Sequence, residues 1–332
     1  MPKKNFQALK IYSSAKEHVT KIELVTIDAL NPGEILIKGY YSGINYKDAL
    51  AVSGTGRILR KSPLIGGIDV SGIVEFSETP NISPGDKVLV CGCGLSETLD
   101  GGYSEYTRVP ADCVEPLPEN IDLFDAMAIG SAGFTAALAI DRMEHNAQSP
   151  DKGPIAVTGA SGGVGSYAID LLSNRGYETV AISSKQECLE YLLSLGADKL
   201  IVRQSMTLGE QALEKGEWGG AVDSVGGDLL SWLTRSVKPQ GNIASIGLAG
   251  GMNIKTTVMP FILRGINLLG IDSVHCPEET RSRIWRRLGT DLRPRHIAKI
   301  VNREITLSDV PSVVDAYIDG QNSGRTVVNL LG

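Results

Sequence analysis

The clearest chemistry in this chain lies in Ile155-Ala156-Val157-Thr158-Gly159-Ala160-Ser161-Gly162-Gly163-Val164-Gly165. The first four residues read as a buried parallel strand, the glycines as a tight turn, and 167–172 as a helix by its apolar spacing. Strand, glycine turn and helix together aim backbone N–H groups and the positive helix end at a pyrophosphate. Glycine is needed because a Cβ would block the phosphates and the close packing of helix on strand. Ala160-x-Gly162-x-x-Gly165 is a variant of G-x-G-x-x-G with alanine first. A second strand over 179–182 completes the unit. The expectation is a dinucleotide site rather than a bare structural turn, with hydride transfer as its chemistry.

The residues after the second strand choose the dinucleotide. An NAD site carries Asp or Glu about 20 residues past the loop, bound to the ribose 2′-hydroxyl. Here that window holds Ser183-Ser184-Lys185. A carboxylate repels a 2′-phosphate, whereas two hydroxyls and an ammonium attract it. Arg203, past a strand over 199–202, is a second cation for the same phosphate. The expected cofactor is NADPH; the bland alternative is that Lys185 is a solvated lysine at a helix start.

A metal site is not expected. Cys91-Gly92-Cys93 lacks C-x-x-C spacing, and His18, His145, His275 and His296 stand apart from one another. The five cysteines, with Cys113, Cys188 and Cys276, are an odd scattered set, which points to free thiols in a reducing cytosol. A net charge of −6 argues against nucleic acid as the main partner. No apolar run reads as a membrane span, and Met1-Pro2-Lys3-Lys4-Asn5-Phe6-Gln7 lacks the apolar core of a signal peptide, so a cytoplasmic protein is expected.

These residues need elements to hold them. At 332 residues the chain has room for two domains. Before about 125 it alternates in short strands over 7–12, 20–27, 34–41, 73–76, 87–91 and 103–109, broken by Asn31-Pro32-Gly33, Ser83-Pro84-Gly85-Asp86 and Asp100-Gly101-Gly102. A helical stretch over 122–141 links this part to the next. From 153 to 272, strands over 155–158, 179–182, 200–202, 220–223, 242–246 and 267–270 alternate with helices over 163–175, 186–195, 229–236 and 259–264, which implies a parallel sheet with helices on both faces. The last segment predicts an arginine-rich helix, another near 308–319, and a strand over 325–330 that returns to the first domain.

With these pieces placed, the chain resembles the medium-chain dehydrogenase/reductase superfamily in its zinc-free quinone-oxidoreductase branch, and within it the bacterial NADPH-dependent acryloyl-CoA reductases. The resemblance rests on Asn45-Tyr46-Lys47-Asp48-Ala49-Leu50, Gly67-Ile68-Asp69-Val70-Ser71-Gly72, Gly101-Gly102-Tyr103-Ser104-Glu105-Tyr106, Gly130-Ser131-Ala132-Gly133-Phe134-Thr135-Ala136, the glycine loop, Met259-Pro260-Phe261-Ile262-Leu263-Arg264, Gly270-Ile271-Asp272-Ser273-Val274 and Gly324-Arg325-Thr326, in this order. It implies an α/β protein: a GroES-like β-rich domain over 1–125 and 300–332, and a Rossmann doubly wound parallel sheet domain over 126–299 that binds NADPH. Zinc-dependent relatives carry a cysteine near the place of Asn45 and a Gly-His-Glu near Gly67-Ile68-Asp69; neither is present.

The resemblance also implies residue roles. Tyr46 touches the nicotinamide end; Ser161, Gly162, Gly163 and Val164 cradle the pyrophosphate; Ser183, Ser184 and Lys185 hold the 2′-phosphate; Arg203, Leu248, Ile262 and Ser273 complete the cofactor cleft. Lys185 stands where many members have arginine, which loses a planar fork but keeps a cation. The implied reaction adds hydride to the β-carbon of an α,β-unsaturated thioester. Asn45, Tyr46, Asp48 and Asp69 are then the catalytic candidates: Asn45 orienting substrate, Tyr46 packing on the nicotinamide or passing a proton, Asp48 orienting Lys47 or a water, Asp69 an acid or an anchor of the turn after Gly67. Arg57, Arg60 and Lys61, or Arg281, Arg283, Arg286 and Arg287, are candidates for the 3′-phosphate of coenzyme A, against a solvated face. The alternatives are reduction of quinones or small enones, and an NADPH-binding sensor with little catalysis. A homodimer is expected, pairing sheet edges near 267–271.

Overall fold

Period-two burial drives the first elements. In the computed structural model, which describes residues 5–15 and 17–332, β1 (Asn5–Ser13) buries Phe6, Ala8, Leu9 and Ile11 and turns its polar residues outward. β2 (His18–Thr26) pairs with it antiparallel, Asn5 opposite Thr26. β3 (Ile35–Gly43), β4 (Leu64–Ile65), β5 (Asp69–Ser77), β6 (Lys87–Cys91), β7 (Tyr106–Val109) and β8 (Glu115–Pro116) follow. The helix α1 (Tyr46–Ser53) sits between β3 and β4 and ends on Gly54, in the left-handed region with φ 76°. No alternating or apolar run marks α1 strongly in the sequence.

Two compact units divide the chain. The first runs up to Ser131 and takes back Val274–Gly289 and Val301–Gly332. Its late elements are α7 (Glu278–Leu288), β15 (Val301–Thr306), α9 (Val310–Ile318) and β16 (Arg325–Asn329), numbered along the whole chain. One sheet has the order β2-β1-β4; the other runs β15-β16-β3-β5-β6-β8, with β7 on β3. The final strand therefore does return to the first unit: Val327 lies opposite Gly43 and Asn329 opposite Tyr41. Phe6, Leu9, Ile35, Ile37, Val70, Tyr103, Tyr106 and Val328 form part of its core, none more than 1% exposed.

The second unit covers Ala132–Ser273 and Thr290–Ile300. Its strands β9 (Ile155–Thr158), β10 (Thr179–Ser183), β11 (Lys199–Val202), β12 (Trp218–Asp223), β13 (Val237–Ser245) and β14 (Asn267–Gly270) are all parallel. Their order, β11-β10-β9-β12-β13-β14, is the doubly wound dinucleotide-binding order, with its switch point between β9 and β12. Strands buried on both faces explain why β9 and β10 are buried throughout. The helices are α3 (Gly163–Asn174), α4 (Leu189–Ser194), α5 (Gly227–Ser236), α6 (Met259–Arg264) and α8 (Ile297–Ile300).

The helix α2 (Leu123–His145) carries the chain out of the first unit and breaks at Gly130 (φ 47°, ψ −158°). It corrects the expectation that no segment is long and apolar enough to cross a membrane: by length and composition this one is, with a mean hydropathy of 1.6. Its apolar stretch is 78% buried inside the protein, which accounts for the composition as core packing.

Candidate active site

At the switch point the polypeptide supplies bare backbone. Gly159 takes φ 59°, Gly162 N–H donates to Gly159 O (3.0 Å), and α3 begins with Gly162 as its cap and no side chain bonded to the first-turn N–H groups. The first turn of α3 carries no acidic residue. A Cβ on Gly165 would meet Gly159 O at 2.4 Å and Ala160 Cα at 2.6 Å, so this glycine lets the helix press against the turn. On Gly162 a Cβ would meet only Gly159 O, at 3.3 Å, so the space in front of the helix start is open, and the first-turn N–H groups of a helix have no partner within it. A dinucleotide pyrophosphate fits this helix start.

The 2′-phosphate candidates come together at the ends of β10 and β11. Ser183 lies in register with Val202, which sets Ser184-Lys185 beside Arg203. Gln204 Nε2 donates to Ser184 O (3.2 Å) and ties the two strand ends. Ser183 is buried; its hydroxyl lies 3.1 Å from Ser161 Oγ and accepts from Lys185 N–H at 3.1 Å. Ser183 thus shapes the turn, while Ser184, exposed, and Lys185, half-buried, present the polar groups. Burial pulls the Lys185 ammonium below the usual lysine range. Leu248 and Ile262 are exposed apolar side chains, and Ser273 is half-buried.

Asp223 was not foreseen and organises the same end of the sheet. It is buried, takes the Thr158 hydroxyl at 2.6 Å and the Gly226 N–H at 2.8 Å, and burial raises its carboxyl above the usual range. The signal for it was an acid closing an otherwise apolar strand, Ala221-Val222-Asp223.

In the first unit, the four catalytic candidates meet at the start of α1. Asn45 is its cap and Tyr46 its first residue. Asn45 N–H and Nδ2 both donate to Asp48 Oδ2, at 2.8 and 3.0 Å; Nδ2 also donates to Asp69 Oδ2 at 2.9 Å. Ile68 N–H donates to the other oxygen of Asp48 at 2.9 Å. Asp69 in turn accepts from Ser131 N–H (2.9 Å) and the Ser131 hydroxyl (2.5 Å). Both carboxylates are fully buried, whereas Tyr46 is 41% exposed. Burial, reinforced by the Asp69 charge, raises the Asp48 carboxyl to about 7. Burial and Asp69 likewise push the Cys91 thiol well above its usual value, which makes it inert as a nucleophile.

One cation closes this cluster. Arg325, on the return strand β16, is 2% exposed. Its Nη1 donates to Ile44 O and Asn45 Oδ1, both at 2.8 Å; Nη2 reaches Met127 O and Nε reaches Ala128 O, each at 3.1 Å. Nη2 lies 3.7 Å from Asp69. Gly130 makes room for it: a Cβ there would stand 2.5 Å from Arg325 Nη2 and 2.8 Å from Asp69 Oδ2. Arg325 was noted only within a motif; an arginine opening the apolar strand Arg325-Thr326-Val327-Val328 signals a buried partner. Asn45 gives both amide hydrogens to the two carboxylates and its oxygen accepts from Arg325, which fixes the orientation of this half-buried side chain. Of the four, Tyr46 alone presents an exposed side chain.

Three further placements differ from expectation. Cys93 and Cys113 form a disulfide (Cα–Cα 5.7 Å), not free thiols, because the tight loop after Gly92 turns Cys93 onto the 3-10 turn Ala111–Cys113; Cys91, Cys188 and Cys276 are buried thiols. Arg281 is buried against Glu115 and bonds Asp112 O, so it is a packing residue of α7 rather than a ligand for a coenzyme phosphate. Lys47 pairs with Glu97, not with Asp48.

Family models for an alcohol dehydrogenase GroES-like domain match residues 31–119, and for a zinc-binding dehydrogenase residues 163–288. YhfP of Bacillus subtilis, a quinone oxidoreductase by name, is 44% identical over 326 residues, covering 98% of this chain and 99% of the relative. The chain belongs to the medium-chain dehydrogenase/reductase family, in its zinc-free branch. Within that family, acrylyl-CoA reductase AcuI of Ruegeria pomeroyi is 41% identical over 328 residues, covering 98% and 99% of the two chains. The crystal structure of E. coli K-12 YhdH with bound NADPH superposes with a TM-score of 0.94 at 41% identity, over 97% of this chain and 99% of that one. That of B. subtilis YhfP with NAD bound gives 0.94 at 43%, over 98% and 100%. Although the second family model names zinc, the described residues of this family member contain no group of three or more His, Cys, Asp or Glu able to hold a metal ion.

Proposed function

We propose that this oxidoreductase uses NADPH to reduce the carbon–carbon double bond of an α,β-unsaturated acyl thioester of the acryloyl-CoA type, to give the saturated thioester. The full-length likeness to an acrylyl-CoA reductase carries the reading. The cofactor half agrees with it: hydroxyl and cationic groups at Ser184, Lys185 and Arg203, with no carboxylate at the end of β10, suit a 2′-phosphate. Ser161, Gly162, Gly163 and Val164 receive the pyrophosphate, and Leu248, Ile262 and Ser273 flank the remainder.

Bound NADPH supplies a hydride to the β-carbon of the substrate. The chain supplies position and polarity. Negative charge that develops on the thioester oxygen is best met by preorganised donors. Tyr46, exposed at the first turn of α1, has a ring for the nicotinamide end and a hydroxyl for the substrate, and the α1 start adds its positive end. Asn45, Asp48 and Asp69 are positioning residues in this account: bonded to one another, they fix where Tyr46 stands. The proton for the α-carbon comes from the Tyr46 hydroxyl or from solvent.

Reduction of quinones or small enones is the second reading, favoured by the likeness to YhfP. A panel of acryloyl-CoA, crotonyl-CoA, acrolein and benzoquinone, followed by loss of NADPH absorbance, separates the two. Turnover of acryloyl-CoA supports the thioester reading; turnover of benzoquinone with none of acryloyl-CoA replaces it. A protein that binds NADPH but passes its hydride to none of these acceptors would instead be a sensor. The protein is further proposed to be a cytoplasmic homodimer that pairs through β14, the open edge of the parallel sheet, where Leu268 is 38% exposed.

A further inference from the structure

The two arginine-rich stretches of the sequence part company in the folded chain. Arg281 is spent on Glu115 inside the first unit. Arg57, Arg60 and Lys61 are all exposed, on the segment that leaves the C-terminal end of α1. That segment doubles back to the catalytic helix. Arg60 N–H donates to Glu97 O at 2.8 Å; the Glu97 carboxylate bonds Lys47, the neighbour of Tyr46, and lies 3.9 Å from Arg60 Nε. The Arg60 side chain is still 72% exposed. Arg57 and Lys61 have no ion pair or hydrogen bond among the described residues.

Two residues on, the same segment forms the wall of a cavity. Ser13 N–H donates to Ser62 Oγ at 2.7 Å, which docks it on the β1–β2 hairpin. Tyr12, Ser13, Ser14, Glu17, Lys21 and Ser62 line a cavity of about 420 Å³ there, within the size range of small-ligand sites. The Tyr12 ring has Lys10 Nζ at 5.8 Å and Lys21 Nζ at 6.0 Å. Lys21 lines the cavity with Glu17, Lys10 and Lys21 approach the Tyr12 ring whose hydroxyl bonds Glu23, and Arg57, Arg60 and Lys61, with Glu97 beside Arg60, lie on the segment that leads into the lining residue Ser62: five cations to three carboxylates on a chain whose net charge is −6. An aromatic ring, hydroxyls and a surplus of cations make up the chemistry that holds a phosphorylated nucleoside.

We propose that this patch binds the 3′-phosphorylated adenosine diphosphate end of a coenzyme A thioester: the phosphates on Arg57, Arg60 and Lys61, the base in the cavity beside Tyr12. The inference rests on the thioester reading and adds where the carrier is held. The span is compatible. Arg60 is tied through Glu97 to Lys47, the neighbour of Tyr46, and the pantetheine arm has the reach of about five extended residues, roughly 17 Å. A phosphate anchored at Arg60 therefore leaves the thioester able to reach Tyr46.

The experiment uses the full chain and the double variant Arg60→Glu, Lys61→Glu, with Tyr12→Ala as a second probe. Three thioesters are compared: acryloyl-CoA, its 3′-dephospho form, and acryloyl-N-acetylcysteamine, which lacks the nucleotide. Binding of adenosine 3′,5′-bisphosphate is measured separately by calorimetry. The proposal expects KM for acryloyl-CoA to rise at least tenfold in the double variant, with kcat and the truncated substrate unaffected, and adenosine bisphosphate binding to weaken in both variants. Equal loss on all three thioesters, or unchanged KM for acryloyl-CoA, overturns it. If the native enzyme ignores acryloyl-CoA yet binds the bisphosphate and loses it in the variants, the thioester reading fails and the nucleotide site stands. If it binds no bisphosphate, the site fails.

Discussion

Replacing Arg325 with methionine tests whether the buried cluster beneath α1 is held by charge. The substitution keeps an apolar stem of similar length and removes the guanidinium. Asp69, with no exposure, then loses the cation 3.7 Å away, and the carbonyls of Ile44, Met127 and Ala128 lose their donors. Breaking a buried pair by taking one partner costs about 3–5 kcal/mol, because the remaining charge has no compensation. At about 2–4 °C per kcal/mol for a unit of this size, the melting temperature falls by roughly 6–20 °C. Guanidinium titration and thermal melting both read it. Adding Asp69→Asn removes the stranded charge and recovers part of the loss, so the double variant is more stable than Arg325→Met alone. Under conditions where the single variant is folded, kcat falls while the affinity for NADPH holds, since Arg325 acts on Asn45 and α1 rather than on the glycine turn. A loss below about 1 kcal/mol, or a double variant no more stable than the single, would refute the reasoning.

Lys185→Asp sets a carboxylate beside the 2′-phosphate position and should lower kcat/KM for NADPH by about 100-fold or more relative to NADH, one charge-assisted bond lost and one repulsion gained; an unchanged NADPH-to-NADH ratio contradicts the cofactor assignment. Tyr46→Phe should lower kcat about 10²-fold if its hydroxyl serves the substrate, while Tyr46→Ala also weakens NADPH; full turnover by both removes Tyr46 from the site. Asp48 makes stability depend on pH. Its folded carboxyl, raised to about 7, holds a proton that the unfolded chain has already released. Its stabilisation is complete below the ordinary carboxylate range and lost as pH rises through about 7, by at most about 4 kcal/mol. Denaturant midpoints measured from acid to neutral pH should fall more steeply for the native chain than for Asp48→Asn, and parallel curves would contradict this.

Much of the architecture was legible because its signals are local. Periodicity placed β9, β14 and α6 at their observed bounds, and the glycine loop marked the switch point. What escaped was set by tertiary contacts. The helix α1 has weak amphipathicity, and its start is held by bonds from Ile68, from Asp69 of β5 and from Arg325 of β16, far away in sequence. β4, only Leu64–Ile65, exists because β1 offers Lys10 and Ile11 as partners. The site divides likewise. The cofactor candidates lie within short stretches and could be read from spacing; the roles of Asn45, Asp48 and Asp69 depended on Arg325, some 280 residues away. The resemblance implied an Asn45 that orients substrate; the bonds that hold its amide to Asp48, Asp69 and Arg325 come from residues distant in sequence and could not be read from spacing. Cys93 and Cys113, 20 residues apart, gave no spacing signal for a disulfide.

The central claim is that hydride passes from NADPH to the β-carbon of an acyl thioester. The direct measurement is to run the enzyme with NADPH deuterated at nicotinamide C4 and acryloyl-CoA, and to locate the label in the product by mass spectrometry and NMR. The account predicts propionyl-CoA with a single deuterium on the β-carbon. Label on the α-carbon, or NADPH oxidised with no propionyl-CoA formed, would contradict it.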